Sequence, residues 1–227
     1  MESLRPNEQR AKNAIFWIWI VLALEIVNLI SSYMQYDLLQ TVANGSFVTD
    51  EAISANDLRE AVFGMIYFIA YLISGVTFIL WFRRAYFNLH QKVNYLQFSE
   101  GWAAGSWFVP IVNLYRPYRI MKEIYIETKE LFTKNGRSEK VDYSTNSLGW
   151  WWTLWIISAF IGQFIFRFAL KSADTIDNLI TTTVANIFLG ILGIPLALIT
   201  IKVIKDYSKV ELLLAESDKE PEINDYE

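Results

Sequence analysis

The sequence predicts an all-α integral membrane bundle. It has four transmembrane helices, one short Pro-broken re-entrant segment and one amphipathic interfacial helix. Three observations predict it. Of the 227 residues, 53% are apolar and 19% charged, where soluble domains run at about 45–50% and about 25%. The apolar excess is gathered into blocks of about 20 residues, the length that crosses a hydrocarbon core at about 1.5 Å per residue. Lys and Arg are concentrated in alternate connections, the asymmetry that sets orientation in a membrane.

The same composition excludes several classes. There are no cysteines, so there is no disulfide, thiolate metal site or thiol nucleophile. His90 is the one histidine, which excludes a multi-histidine metal or haem site within one chain. No metal and no cofactor is expected. The net charge of −4 comes from an acidic C-terminal stretch, and nothing in it calls for nucleic acid.

The elements follow in order. Residues 1–13 are polar and carry Arg5, Arg10 and Lys12; they are expected to be a cytoplasmic segment leading into a membrane domain over 14–210. Ala14–Tyr33 has the basic start and apolar run of a signal peptide. It is too long for an h-region and lacks a small-residue cleavage site, so it reads as an uncleaved first span. Residues 34–61 are polar and acidic, with Asn44-Gly45-Ser46 as an outer turn. Val62–Phe82 is the second span and ends in Trp81-Phe82-Arg83-Arg84. Residues 85–100 are polar.

Gly101–Tyr115 is apolar but short, and holds Pro110 and Asn113. In the next stretch Ile120, Ile124 and Leu131, with Met121, Tyr125 and Phe132, form one stripe at helical spacing. That predicts an amphipathic helix over 117–132 lying in the inner interface, with Pro117 in its first turn. Lys134–Asn146 is a polar loop. Ser147–Leu170 and Thr183–Lys202 are the third and fourth spans. Residues 211–227 carry seven acids against Lys219, the composition of a solvated, disordered tail.

Charge decides how the short segment is placed. Residues 1–13 hold 3 Lys/Arg, 83–100 hold 3, 116–146 hold 7 and the stretch from Lys202 holds 4. All four regions favour the cytoplasm. If 101–115 crossed the membrane, its two basic flanks would lie on opposite sides. Four crossings with a re-entrant 101–115 resolve the conflict and put both termini inside; the alternative is five transmembrane helices. Gly101, Ala103, Ala104, Gly105 and Ser106 suit close packing of such a segment.

The run Trp81-Phe82-Arg83-Arg84-Ala85-Tyr86-x-Asn88-Leu89 is followed by Gly101-Trp102-x-x-x-x-Trp107-Phe108-Val109-Pro110-Ile111-Val112-Asn113-Leu114-x-Arg116-Pro117-Tyr118. Over roughly residues 60–205 the chain resembles a bacterial family of multi-pass membrane proteins filed as domain of unknown function 4328. The resemblance implies a bacterial plasma-membrane protein and marks 81–119 as the identifying feature. It implies no activity and transfers no catalytic or binding residue.

Three groups of residues are candidates for function. Glu25 lies mid-span, where a carboxylate must be protonated or paired. Asn28 shares its helix face, Gln163 and Arg167 sit in the outer part of the third span, and Asn186 opens the fourth. A Glu25–Arg167 or Glu25–Gln163 contact would make either a structural clasp or a polar cavity. The short-segment motif of Trp107, Pro110, Asn113 and Pro117 reads as a kink satisfied by Asn113, or as a ligand site built on freed carbonyls. Arg83, Arg84, Arg116, Arg119 and Lys122 bracket that segment and suit anionic lipid headgroups. His90 reads as an exposed surface histidine, and no catalytic residue is assigned.

The expected function is that of a non-enzymatic, membrane-embedded binding or scaffold protein using a Trp/Arg-rich cytoplasmic face. Its partners are the bilayer and anionic headgroups, with a cytoplasmic protein partner and a homo-oligomer both open. The alternative is a small oligomeric transporter or channel subunit with a polar site around Glu25.

Overall fold

The computed structural model describes residues 4–134, 145–171 and 175–217. These form six helices and no strand: α1 (Glu8–Ala43), α2 (Asp50–His90), α3 (Trp102–Gly105), α4 (Arg116–Lys134), α5 (Asn146–Lys171) and α6 (Ile176–Ser217), with a 3₁₀ turn at Val112–Leu114. Four of them, α1, α2, α5 and α6, are long and apolar enough to cross a membrane. The protein is an all-α helical membrane bundle.

The helices overrun the apolar stretches. At 42 residues, α6 is about 63 Å long, roughly twice the hydrocarbon thickness. Most of the polar 34–61 region is helical, and only a tight turn separates α1 from α2. Gly45, at φ 75°, makes that turn. Its N–H bonds Val42 C=O at 2.9 Å and the Ser46 N–H bonds Thr41 C=O at 3.1 Å, the paired bonds of a left-handed helix C-cap. Thr49 Oγ1 caps α2 and Thr175 Oγ1 caps α6, each accepting a backbone N–H at 3.3 Å.

The segment 101–115 is not a transmembrane helix. It is the one-turn α3, a loop and the 3₁₀ turn, so the five-helix alternative has no fifth helix. Pro110 C=O accepts the Val112 N–H at 2.7 Å across Ile111, which has φ 67° and ψ −47°. That is a γ-turn of the rarer, positive-φ kind, strained for a β-branched residue.

The chain divides into two compact units. The first comprises Met1–Ile15, Val76–Gly149 and Ile201–Glu227. Its core is a set of fully buried side chains at helical spacing: Trp81, Phe82, Ala85, Tyr86 and Leu89 on α2, Ile120, Met121, Ile124 and Tyr125 on α4, and Val203, Ile204 and Tyr207 on α6. Trp81 meets Tyr207 edge-on at 6.3 Å, and Tyr207 stacks on Tyr125 at 6.2 Å. The Tyr125 hydroxyl donates to Val203 C=O at 2.9 Å. The apolar stripe of α4 is therefore packed against protein, which corrects the expectation that it lies open to the interface. Each such burial is worth about 1.5–3 kcal/mol.

α6 continues to Ser217 with Glu211 and Leu214 buried, so a solvated tail does not begin at Glu211. Residues 218–227 and most of the expected 134–146 loop lie outside the described residues.

The second unit comprises Phe16–Gly75 and Trp150–Thr200. Its pattern is that of a membrane bundle. Glu25, Ser31, Asn56, Ser74 and Thr183 are buried, while Phe16, Ile30, Met65, Phe68, Phe160, Phe166 and Phe188 are exposed. Apolar faces turned outward with polar groups inside suit lipid as the solvent. None of the apolar window of α5 is buried.

Candidate functional site

In the first unit the N-terminal arm is tied to α2 by one side chain. Asn88 accepts the Arg5 N–H at 3.0 Å and donates to the Arg5 C=O at 2.9 Å, pairing with the backbone much as a strand would. The remaining Asn88 N–H donates to Glu211 Oε1 at 2.6 Å. Asn7 donates to Glu211 Oε2 at 2.9 Å and to Trp81 C=O at 3.3 Å. Asn7, Asn88 and Glu211 are all buried. Burial pushes the Glu211 carboxyl up to about 7, against the pull of the two Asn donors and of Arg84.

This anchoring gathers arginines. The Arg5 guanidinium lies over the Phe87 ring at 4.2 Å and Arg84 over the same ring at 5.8 Å. Arg10 Nη1 donates to Leu80 C=O at 3.0 Å. Partial burial and the neighbouring charges of Arg10, Arg5 and Arg83 push the Arg84 guanidinium down, with Glu100 opposing. Of the acids near the cluster, Glu100 pairs with Arg83 at 3.0 Å, Glu8 pairs with Lys12 at 2.6 Å, and Glu211 is held by Asn7 and Asn88. Among the described residues neither Arg84 nor Arg10 has an ion pair. The result is an electropositive patch beside an aromatic ring, two residues past the apolar end of the second span.

Of the five basic residues singled out by sequence, the structure places Arg83 and Arg84 in this cluster. Arg116 instead lies over Trp102 at 4.0 Å and over Phe98 at 5.2 Å, and Arg119 over Tyr115 at 5.4 Å. Lys122 is exposed on α4. Arg5 and Arg10 complete the cluster and were missed as site residues; their approach depends on the long-range bonds of Asn88, which no local pattern announces.

Trp107 packs edge-on to Phe78 at 5.6 Å and to Phe82 at 6.1 Å. Pro117 is buried in the first turn of α4. Pro110 is exposed. The Asn113 N–H bonds Val109 C=O at 3.0 Å, but its side chain makes no hydrogen bond among the described residues, so it neither clasps a kink nor caps α4. His90 is half-buried rather than on the surface: Nε2 lies 3.0 Å from Phe98 C=O and the ring meets Tyr86 edge-on at 4.7 Å. Tyr86 donates to Glu123 Oε2 at 2.6 Å, and the Gln97 N–H donates to Glu123 Oε1 at 2.7 Å. Those bonds pin the connection after α2 onto α4.

In the second unit, Glu25 is 9% exposed. Its partner is Tyr67 of α2, which hydrogen-bonds the carboxyl, and it lies against Gly190 and Gly193 of α6. The expected contacts with Gln163 and Arg167 are not formed. Those two residues are exposed on α5 and, with Phe160, Phe164, Phe168 and Lys171, line a surface groove of about 490 Å³. Asn186 is exposed and Asn28 half-buried; neither makes a side-chain bond among the described residues. A clasp missed by sequence joins α1 to α2. Ser31 Oγ donates to Glu60 and accepts from Arg59 Nε at 2.9 Å, and Arg59 Nη2 donates to Asn56 Oδ1 at 2.6 Å.

Four apolar spanning helices and a basic, aromatic patch at a span end define a polytopic integral membrane protein. The chain belongs to the family described as Domain of unknown function (DUF4328), whose profile matches residues 44–209. The match covers α2 to most of α6 and leaves out Arg5, Asn7, Arg10, Glu25 and Glu211. No curated protein and no solved structure matches the chain.

Proposed function

We propose that this is a non-enzymatic membrane protein that binds anionic lipid headgroups at the Arg5–Arg10–Arg83–Arg84 cluster on the cytoplasmic side of a bacterial plasma membrane. One observation carries the reading: Arg84 is crowded by three arginines and, among the described residues, forms no ion pair. A phosphate would relieve that repulsion, and guanidinium is suited to phosphate recognition. The depth agrees, because Arg83 and Arg84 follow directly on Trp81 and Phe82, and Trp and basic residues favour the headgroup layer.

The test is native mass spectrometry of the protein in mixed micelles of phosphatidylglycerol and phosphatidylcholine. Retained phosphatidylglycerol should fall about tenfold in the Arg10→Gln/Arg84→Gln double variant, equivalent to about 1.4 kcal/mol. Lys122→Gln should leave it unchanged. Equal retention by all three proteins would remove the proposed site. A co-purifying protein lost with the same double variant would instead make the patch a docking surface for an acidic partner.

A further inference from the structure

Glu25 is buried, yet among the described residues it has no ion pair. From α2, Tyr67 hydrogen-bonds it and Tyr71 lies within electrostatic reach. From α6, the facing positions are glycines. A Cβ added at Gly190 would stand 2.7 Å from Glu25 Oε1, and one at Gly193 would stand 3.2 Å from Cδ. The carboxyl thus rests on bare helix backbone, in space that any other residue at Gly190 would fill. Lys, Arg, His, Asp and other Glu are absent from its described partners.

An apolar interior demands a counter-charge for a carboxylate. One proton on Glu25 meets that demand without an ion pair, and Tyr67 remains as the hydrogen-bonding partner of the carboxyl. Tyr71 stacks on Tyr67 at 6.1 Å.

We propose that Glu25, Tyr67 and the Gly190–Gly193 turn of α6 form an intramembrane proton-binding site, in which the Glu25 carboxyl carries one exchangeable proton. This site is independent of the headgroup cluster, which lies in the other unit.

Infrared spectroscopy of the full chain in phosphatidylcholine liposomes tests it directly. In the Glu211→Gln protein, which removes the other buried acid, a protonated-carboxyl C=O band should be present at neutral pH, should shift down in D₂O within minutes, and should be lost when Glu25→Gln is added. Tyr67→Phe in the same background deletes one hydrogen bond with little change of shape and should move the band up; it serves where the double variant does not fold. A band absent from Glu211→Gln, retained when Glu25→Gln is added, unmoved by Tyr67→Phe or unexchanged in D₂O would overturn the proposal.

Discussion

Glu211 shows how one buried acid can set the pH response of its surroundings. It lies nine residues past Lys202, beyond the apolar stretch of α6, and burial raises it from the usual 4.5 to about 7. Below about pH 4.5 the group is protonated whether folded or unfolded and leaves stability unchanged. Between 4.5 and 7 the unfolded chain releases its proton first, so stability falls as pH rises, and the full penalty is present above about pH 8. The change is on the order of 3 kcal/mol. Unfolding followed through Trp81 and its neighbours should therefore become easier from pH 5 to pH 8. Glu211→Gln should flatten that profile and leave the protein more stable at pH 8. Its carboxamide can still accept from Asn88. It can also donate to Asn7 Oδ1, which is buried without a partner among the described residues, once the Asn7 amide turns over. A profile identical in wild type and variant would remove Glu211 as its source. In the sequence, Glu211 was indistinguishable from the acids that follow it, because its burial is made by Asn7 and Asn88, 204 and 123 residues away.

Among the elements, α4 was legible in pattern and not in partner. Spacing identified the stripe of Ile120, Met121, Ile124 and Tyr125, but an amphipathic face fits a headgroup layer or a protein core equally well. The core was decided by Tyr207 and Val203, which stand past the fourth apolar block. Ile124→Ala should therefore destabilise by about 2–5 kcal/mol, while Ile126→Ala, 41% exposed on the same helix, should stay within about 0.5 kcal/mol. Denaturation in detergent reads both, and equal small effects would return α4 to an interfacial role. The segment 101–115 was legible as broken from its length and Pro110. Its γ-turn was not, since nothing about Ile111 announces a positive φ. Glycine there should relieve roughly 1–3 kcal/mol of strain, less about 1 kcal/mol for its freer unfolded chain. A net gain of up to about 2 kcal/mol in Ile111→Gly is expected, and a loss would show that the side chain, 75% exposed, contributes more than its backbone costs. For the headgroup cluster, Arg83 and Arg84 were legible because basic residues at a span end have a physical reason to be there. Arg5 and Arg10 were not, because only the folded-back arm delivers them. Glu25 was legible as costly, but its partners Tyr67, Gly190 and Gly193 were hidden among ordinary membrane residues.

For the whole molecule, the count of crossings decides which surfaces share a compartment. If each of the four apolar helices crosses once, the chain returns to the side on which it started, and α3 with its following turns is too short to add a fifth passage. Residues before and after 101–115 must then face the same compartment, while the turn between α1 and α2 faces the other. The native sequence contains no cysteine, so single substitutions report without background. Ser99→Cys and Lys122→Cys, both at exposed positions, should react with a membrane-impermeant maleimide from the cytoplasmic side only. Ser46→Cys, exposed in the α1–α2 turn, should react from the opposite side only. Labelling of Ser99→Cys and Lys122→Cys from opposite sides would require the backbone to cross at 101–115, through unpaired N–H and C=O groups that lipid cannot satisfy. Agreement of those two positions, with Ser46→Cys opposed, would place the Arg5–Arg84 cluster on the cytoplasmic leaflet. That is the leaflet whose anionic headgroups the cluster is proposed to bind.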